Sequence, residues 1–163
     1  FSAFEIEEIS EMVGVGAVKY SILKVGRLQD IAFDLKESVS LEGNSGPYLQ
    51  YTVARCNSLL KKGPIRQDVV LHGVYSNLAE EELLVLRVLV HFPEVVEESA
   101  ENFAPNLLCN YLYDLAQKYN HLYNSLKIIG SEAENFRLAL TFGVSQVLKN
   151  GLGILGIQTP SKM

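Results

Sequence analysis

The stretch Pro105-Asn-Leu-Leu-Cys-Asn-Tyr-Leu-Tyr-Asp-Leu-Ala-Gln-Lys-Tyr-Asn-His-Leu-Tyr-Asn-Ser125 decides the fold. Leu108, Tyr111, Leu112, Leu115, Tyr119, Leu122, Tyr123 and, just beyond, Leu126 recur at spacings of three and four. Such spacing returns each side chain to one face of a helix, because a turn takes about 3.6 residues. Pro105 suits the first helical position, where the backbone N–H has no partner to lose. The pattern predicts a long amphipathic helix from Pro105 to about Ser125, with Leu108, Leu112, Leu115 and Leu122 turned inward. A stripe of that length needs other helices to cover it.

Outward from this helix the punctuation is helical on both sides. Ser131 and Glu134 have capping-box spacing and open a helix through Arg137-Leu-Ala-Leu140 to about Lys149. Asn150-Gly151 reads as its left-handed stop. On the other side, Asn77 and Glu80 have the same capping-box spacing, before the run from Glu82 to Val90. Pro93 ends or bends that helix, since proline disfavours a helical conformation in the residue before it. In the first half, Glu5 to Met12, Gly16 to Leu23 and Pro47 to Lys61 read as helices, while Gly26 to Gly46 stays ambiguous. Gly63-Pro64 marks a boundary, and the apolar stretch Ile65 to Leu71 beyond it has no assignable conformation. The prediction is a mainly all-α protein built as an antiparallel helix bundle.

Composition agrees with a packed domain. Of 163 residues 48% are hydrophobic and 20% charged, which excludes a disordered or fibrous chain. No apolar run reaches the roughly 18–20 residues of a membrane span. The chain starts on Phe1 without a basic and apolar leader, so it reads as a piece of something longer. Cys56 and Cys109 lie far apart with no CxxC pattern, which points to buried free thiols in a reducing compartment, the cytoplasm. The net charge of −5 argues against indiscriminate polyanion binding. Its distribution is uneven: Arg87 stands alone from Asn77 to Ala104 against Glu80, Glu81, Glu82, Glu94, Glu97, Glu98 and Glu101. From Pro105 onward the cations Lys118, Lys127, Arg137, Lys149 and Lys162 outnumber the acids, which permits a surface facing nucleic acid.

No residue pattern marks an active site. His72, His91 and His121 lack metal-ligand spacing and read as structural or solvent-facing. Gly14-Val-Gly-Ala-Val-Lys19 lacks the third glycine of a dinucleotide fingerprint and the ending of a P-loop, so its glycines are assigned to close helix packing. The glutamates from Glu80 to Glu101 read as a solvated helix face. No serine or cysteine has an activating context. Tyr111, Tyr113, Tyr119 and Tyr123 share one helix; spacing makes most of them core, yet tyrosine also stacks on unpaired bases.

Two blocks carry a specific resemblance. The first runs from Gly14-Val-Gly-Ala-Val-Lys-Tyr20 to Glu42-Gly-Asn-Ser-Gly-Pro-Tyr-Leu-Gln-Tyr51 and Ala54-Arg55. It resembles the segment that leads out of the nucleotide-binding fold in arginyl-tRNA synthetases. The second, from Leu83 to the end, resembles the DALR-type anticodon-binding domain of the same class I enzymes. Its landmarks are Phe92-Pro-Glu-Val-Val96, Tyr111-Leu-Tyr-Asp-Leu-Ala116, Tyr119-Asn120 with Tyr123, Arg137-Leu-Ala-Leu140, Gln146-Val-Leu-Lys-Asn-Gly-Leu152, Leu155-Gly-Ile157 and Pro160-Ser-Lys-Met163. Glu134-Asn-Phe-Arg137 keeps only the arginine of the Asp-Ala-Leu-Arg motif.

The resemblance implies a division into residues 1–64, the tail of a catalytic domain near the tRNA stem, and residues 65–163, the anticodon-binding domain. It implies arginine tRNA as partner, with no DNA and no membrane, and a monomeric fragment. Tyr123 and Met163 match the tyrosine and terminal methionine that enclose an anticodon base, and Arg87 and Lys127 match positions near that pocket. Arg137 reads equally well as a bundle arginine. The signature loops for ATP and arginine are absent, so the fragment is expected to be inactive and to hold no cofactor. ATP and Mg would serve the parent enzyme, which attaches arginine to the tRNA 3′ end. The alternatives are a helical protein–protein interaction module and the matching domain of another class I synthetase.

Overall fold

In the computed structural model the described residues, 1–63 and 78–163, form helices joined by loops, with no strand among them. The chain opens with α1 (Ala3–Leu23), capped reciprocally: the Glu5 N–H donates to Ser2 Oγ, and the Ser2 N–H donates to a Glu5 carboxylate oxygen. It is one continuous helix where the sequence suggested two, because Gly14 and Gly16 keep negative φ. Gly16 does serve close packing, since a Cβ there would lie 2.7 Å from Gln50 Nε2; Gly14 meets nothing.

The ambiguous stretch holds only a single short turn of helix, α2 (Leu35–Ser38), capped by Asp34. Next comes α3 (Gly46–Leu60), started by Ser45 Oγ, which accepts from the Tyr48 N–H, with Pro47 in the first turn. Its first residue lies so close to α1 that a Cβ on Gly46 would sit 2.6 Å from the Gly16 carbonyl oxygen.

In the second half, α4 (Glu80–Val90) ends at His91, and α5 (Phe92–Glu101) starts at once with Pro93 in its first turn. The proline therefore turns the chain as expected. The cap of α4 differs from the reading: the carboxylate that turns back belongs to Glu82 and accepts from the Ala79 N–H at 2.7 Å. Asn77 lies outside the described residues, as do Pro64, the Ile65 to Leu71 stretch and His72.

The predicted central helix is α6 (Pro105–Ser125). Leu108, Leu112, Leu115, Tyr119 and Leu122 are buried, and α3, α4, α5 and α7 (Glu134–Ile154) pack around them. Leu49 and Val53 come from α3, Val85 from α4, and Val144, Leu148 and Leu152 from α7. Buried hydroxyls find partners, as the cost of burying an unpaired polar group requires. Tyr111 donates to the Val88 carbonyl at 3.0 Å, and Tyr119 Oη lies 3.3 Å from Thr141 Oγ1.

Three local expectations are corrected at the edges of this core. The Ser131 hydroxyl donates to the Ile128 carbonyl, and the Glu134 carboxylate accepts from the Gly130 N–H, so the start of α7 is a turn and not a Ser131 cap. The helix also runs through Asn150-Gly151 to Ile154. Gly151 is needed for packing: a Cβ there would lie 2.5 Å from a buried Leu112 methyl. The left-handed stop falls at Gly156, with φ +69°, and the Ile157 N–H returns to the Leu152 carbonyl at 2.8 Å. Finally, Glu82 is buried within the acidic stretch. Its carboxylate meets Arg137 Nε at 2.7 Å, while Arg137 Nη1 donates to the Lys127 carbonyl. Arg137 is thus a bundle residue tying α7 to α4.

Candidate nucleic-acid interface

Tyr51 and Arg55 are four apart on α3 and so share a face of that helix. The last turn of α6 presents Tyr123 opposite them. Between the two helices lies an open cleft of about 270 Å³, walled by Tyr51, Arg55, Lys62, Tyr123 and Met163. The Arg55 guanidinium lies 4.9 Å from the centroid of the Tyr51 ring and 4.9 Å from that of Tyr123. Its Nη1 donates to Asn120 Oδ1 at 2.7 Å. Asn120 is itself held, donating to the Tyr48 hydroxyl at 3.0 Å and to Thr52 Oγ1 at 2.9 Å. A second recess of about 500 Å³ continues past Tyr51 and Arg55 and adds Glu42, Tyr48, Asn120 and Asn124.

Met163 reaches the cleft along a tail that is fastened at several points. Ile157 is buried, Lys19 Nζ donates to the Gly156 carbonyl at 2.5 Å, and Gln50 Nε2 donates to the Gln158 carbonyl at 2.7 Å. Lys162 pairs with Glu5 at 2.6 Å and lies 4.8 Å over the Phe1 ring. The Lys162 ammonium, helped by the Ser2 N–H, holds the Glu5 carboxyl down at about 2.

Chemically the first cleft offers flat aromatic faces, a thioether and two cations, with no acidic wall residue among the described residues. It suits a planar group joined to an anionic backbone, which is an unstacked nucleotide. Cys56 and Cys109 are buried free thiols, each pushed up to about 12 by burial. His91 Nδ1 pairs with Glu94 at 2.7 Å in solvent, and His121 is exposed. Among the described residues no cluster of His, Cys, Asp or Glu could hold a metal ion, and no helix is long and apolar enough to cross a membrane.

Of the four residues singled out in the sequence, Tyr123 and Met163 meet at the cleft. Arg87 is exposed on α4 and Lys127 in the loop between α6 and α7; neither lines it. Tyr51, Arg55 and Lys62 were not singled out. The i, i+4 pairing of Tyr51 with Arg55 was the available signal, lying inside a stretch already noted for its resemblance.

Residues 49–163, which contain every wall residue of the cleft, match the DALR anticodon binding domain. The chain belongs to this family. DALR relatives extend the match to nearly the whole chain. It is 38% identical to the arginine–tRNA ligase of Bacteroides thetaiotaomicron, over 98% of its own length and 28% of that protein's. The fold superposes on the Thermus thermophilus arginyl-tRNA synthetase with a TM-score of 0.86 at 33% identity, over 96% of this chain and 28% of that one. The Plasmodium falciparum arginyl-tRNA synthetase gives the same TM-score at 27% identity, over 97% and 28%. This DALR chain therefore spans a little over a quarter of the length of these relatives.

Proposed function

We propose that this chain is the tRNA-gripping part of an arginine–tRNA ligase, and that the cleft between α3 and α6 receives an unstacked base of the arginine tRNA anticodon loop. The observation that carries the reading is the convergence of Arg55, Tyr123 and Met163, from three distant parts of the chain, on one cation-bearing aromatic cleft. A loop base can stack on tyrosine while Arg55 and Lys62 meet its phosphates. Arg87 and Lys127, outside the cleft, belong to the same proposal as contacts to the flanking backbone. Residues 1–64 are assigned to the side facing the tRNA stem and residues 65–163 to the anticodon, with α3 serving both. Activation of arginine, with ATP and magnesium, belongs to parts of the enzyme that this chain does not include. Action as a monomer in the cytoplasm completes the proposal.

The test is a binding titration of the 163-residue chain against arginine tRNA and an anticodon variant, at two salt concentrations. Tyr123→Ala should cost about 1–3 kcal/mol, the usual range for one base–aromatic stack. Deleting Met163 should weaken binding without unfolding the bundle. Both losses should shrink on the anticodon variant. Equal affinity for both tRNAs, unaffected by either change, sinks the reading and favours an interaction module.

A further inference from the structure

Gln50 is fully buried, an unusual place for a side-chain amide. Its Nε2 donates to two main-chain carbonyls, Met12 of α1 at 3.1 Å and Gln158 of the tail at 2.7 Å. Its Oε1 finds no partner among the described residues. A buried polar group is costly when left unpaired, so an apolar side chain of the same length would serve the core at least as well. What an apolar residue cannot supply is the pair of donated bonds. The amide fits only because position 16 is glycine, where a Cβ would crowd Nε2 at 2.7 Å. Two residues before Gln158, the exposed Lys19 holds the Gly156 carbonyl.

Resting on the anticodon reading above, we propose that Gln50 and Lys19 are positioning residues, a clamp on the tail carbonyls that sets Met163 as a wall of the cleft. The geometry supports this directly. Gln50 precedes Tyr51 on α3, so one rigid helix carries both the tail's anchor and the opposite wall of the cleft. Beyond Gln158 the tail has only five residues in which to reach Tyr123 and Arg55. The clamp at Gln158 sets where this short stretch begins, and Lys162 on Glu5 fastens it again just before Met163. The clamp touches no ligand; it acts through the methionine.

The chain contains two methionines, Met12 and Met163, so methyl-labelled methionine gives two assignable NMR signals. In the wild type, Met163 should show a ring-current shift and cross-peaks to Tyr123. Gln50→Leu should return that signal toward the free-methionine position and lower affinity for arginine tRNA by the same factor as deleting Met163. Combining Gln50→Leu with the deletion should add no further loss, a coupling that a general loss of stability would not produce. Lys19→Ala, on the exposed face of α1, should move the Met163 signal in the same direction with helicity intact. It decides the matter if Gln50→Leu fails to fold. A Met163 signal unmoved in Lys19→Ala and in any folded Gln50→Leu overturns the clamp, whatever the tRNA titration shows. If instead Tyr123→Ala leaves tRNA binding intact while Gln50→Leu frees the methionine, the anticodon reading fails and the clamp stands as a feature of the tail.

Discussion

The Arg55 guanidinium lies over the Tyr123 ring, 4.9 Å from its centroid, and so links α3 to the last turn of α6 across the mouth of the cleft. Asn120 fixes its other edge, which leaves the planar group little freedom to turn away. The contact defines the cleft even without a ligand, because it presents ring face and positive charge together.

Arg55→Lys is therefore not a conservative change, since an ammonium neither stacks as a plane nor keeps the fork that reaches Asn120. It should lower affinity for arginine tRNA by about 1–2 kcal/mol, in the range of a partly desolvated cation–π contact. Thermal melts should also drop somewhat, because the buried Asn120 Oδ1 loses its donor, so affinities are compared where both proteins are fully folded. A titration showing wild-type affinity would remove Arg55 from the interface.

Leu115 is fully buried at the centre of α6. Leu115→Ala should destabilise the bundle by about 2–5 kcal/mol, from lost transfer energy and the cavity left behind. Denaturant unfolding followed by circular dichroism reads this directly. A change below about 0.5 kcal/mol, as at surface sites, would mean the helix presents another face.

Two glycines of α7 should respond oppositely to alanine. At Gly151 the new methyl meets buried Leu112 at 2.5 Å, and overpacking of that kind costs about 1–3 kcal/mol. At Gly153 nothing lies within 4 Å, so the ordinary helix preference for alanine, about 1 kcal/mol, should appear as stabilisation. Equal effects at the two sites would contradict the packing of α7 on α6.

Cys56 and Cys109 should resist a thiol reagent in the native state at pH 8 and react after unfolding, because burial holds both thiols protonated, up to about 12. The sign follows from the raised values. The stabilising difference is fully present below the unfolded thiol value, near 8.5, and is lost as pH rises from there toward 12. Unfolding midpoints across that window should therefore fall with pH, and Cys56→Ala with Cys109→Ala should remove that part of the slope. Rapid native-state labelling at pH 8 would refute the burial.

Much of this protein was legible without its structure, and what was legible was local. The three- and four-residue spacing along α6 specifies a helix and its buried face, because helical periodicity depends only on the chain's own geometry. Pro105 announced a helix start, and Pro93 the end or bend of the helix before it, for reasons internal to proline. The resemblance of two blocks supplied the family, and with it Tyr123 and Met163.

Competition among local partners and contacts between distant segments hid the remainder. Capping-box spacing at Ser131 and Glu134 was present, but Glu134 turns to Gly130 instead. Asn150-Gly151 looked like a helix stop, yet Gly151 stays helical because Leu112 occupies the space a side chain would need. Glu82 looked like one more solvated acid until Arg137, 55 residues away, was found beside it. The same holds for the cleft: Arg55 between two tyrosines, and Gln50 fastened to Gln158 through a space that Gly16 leaves open, are contacts between segments that share no sequence pattern. Local propensity and periodicity determined the longer helices of the second half; only packing decided which polar groups face one another, because a buried donor takes whatever partner the neighbouring helix brings within reach.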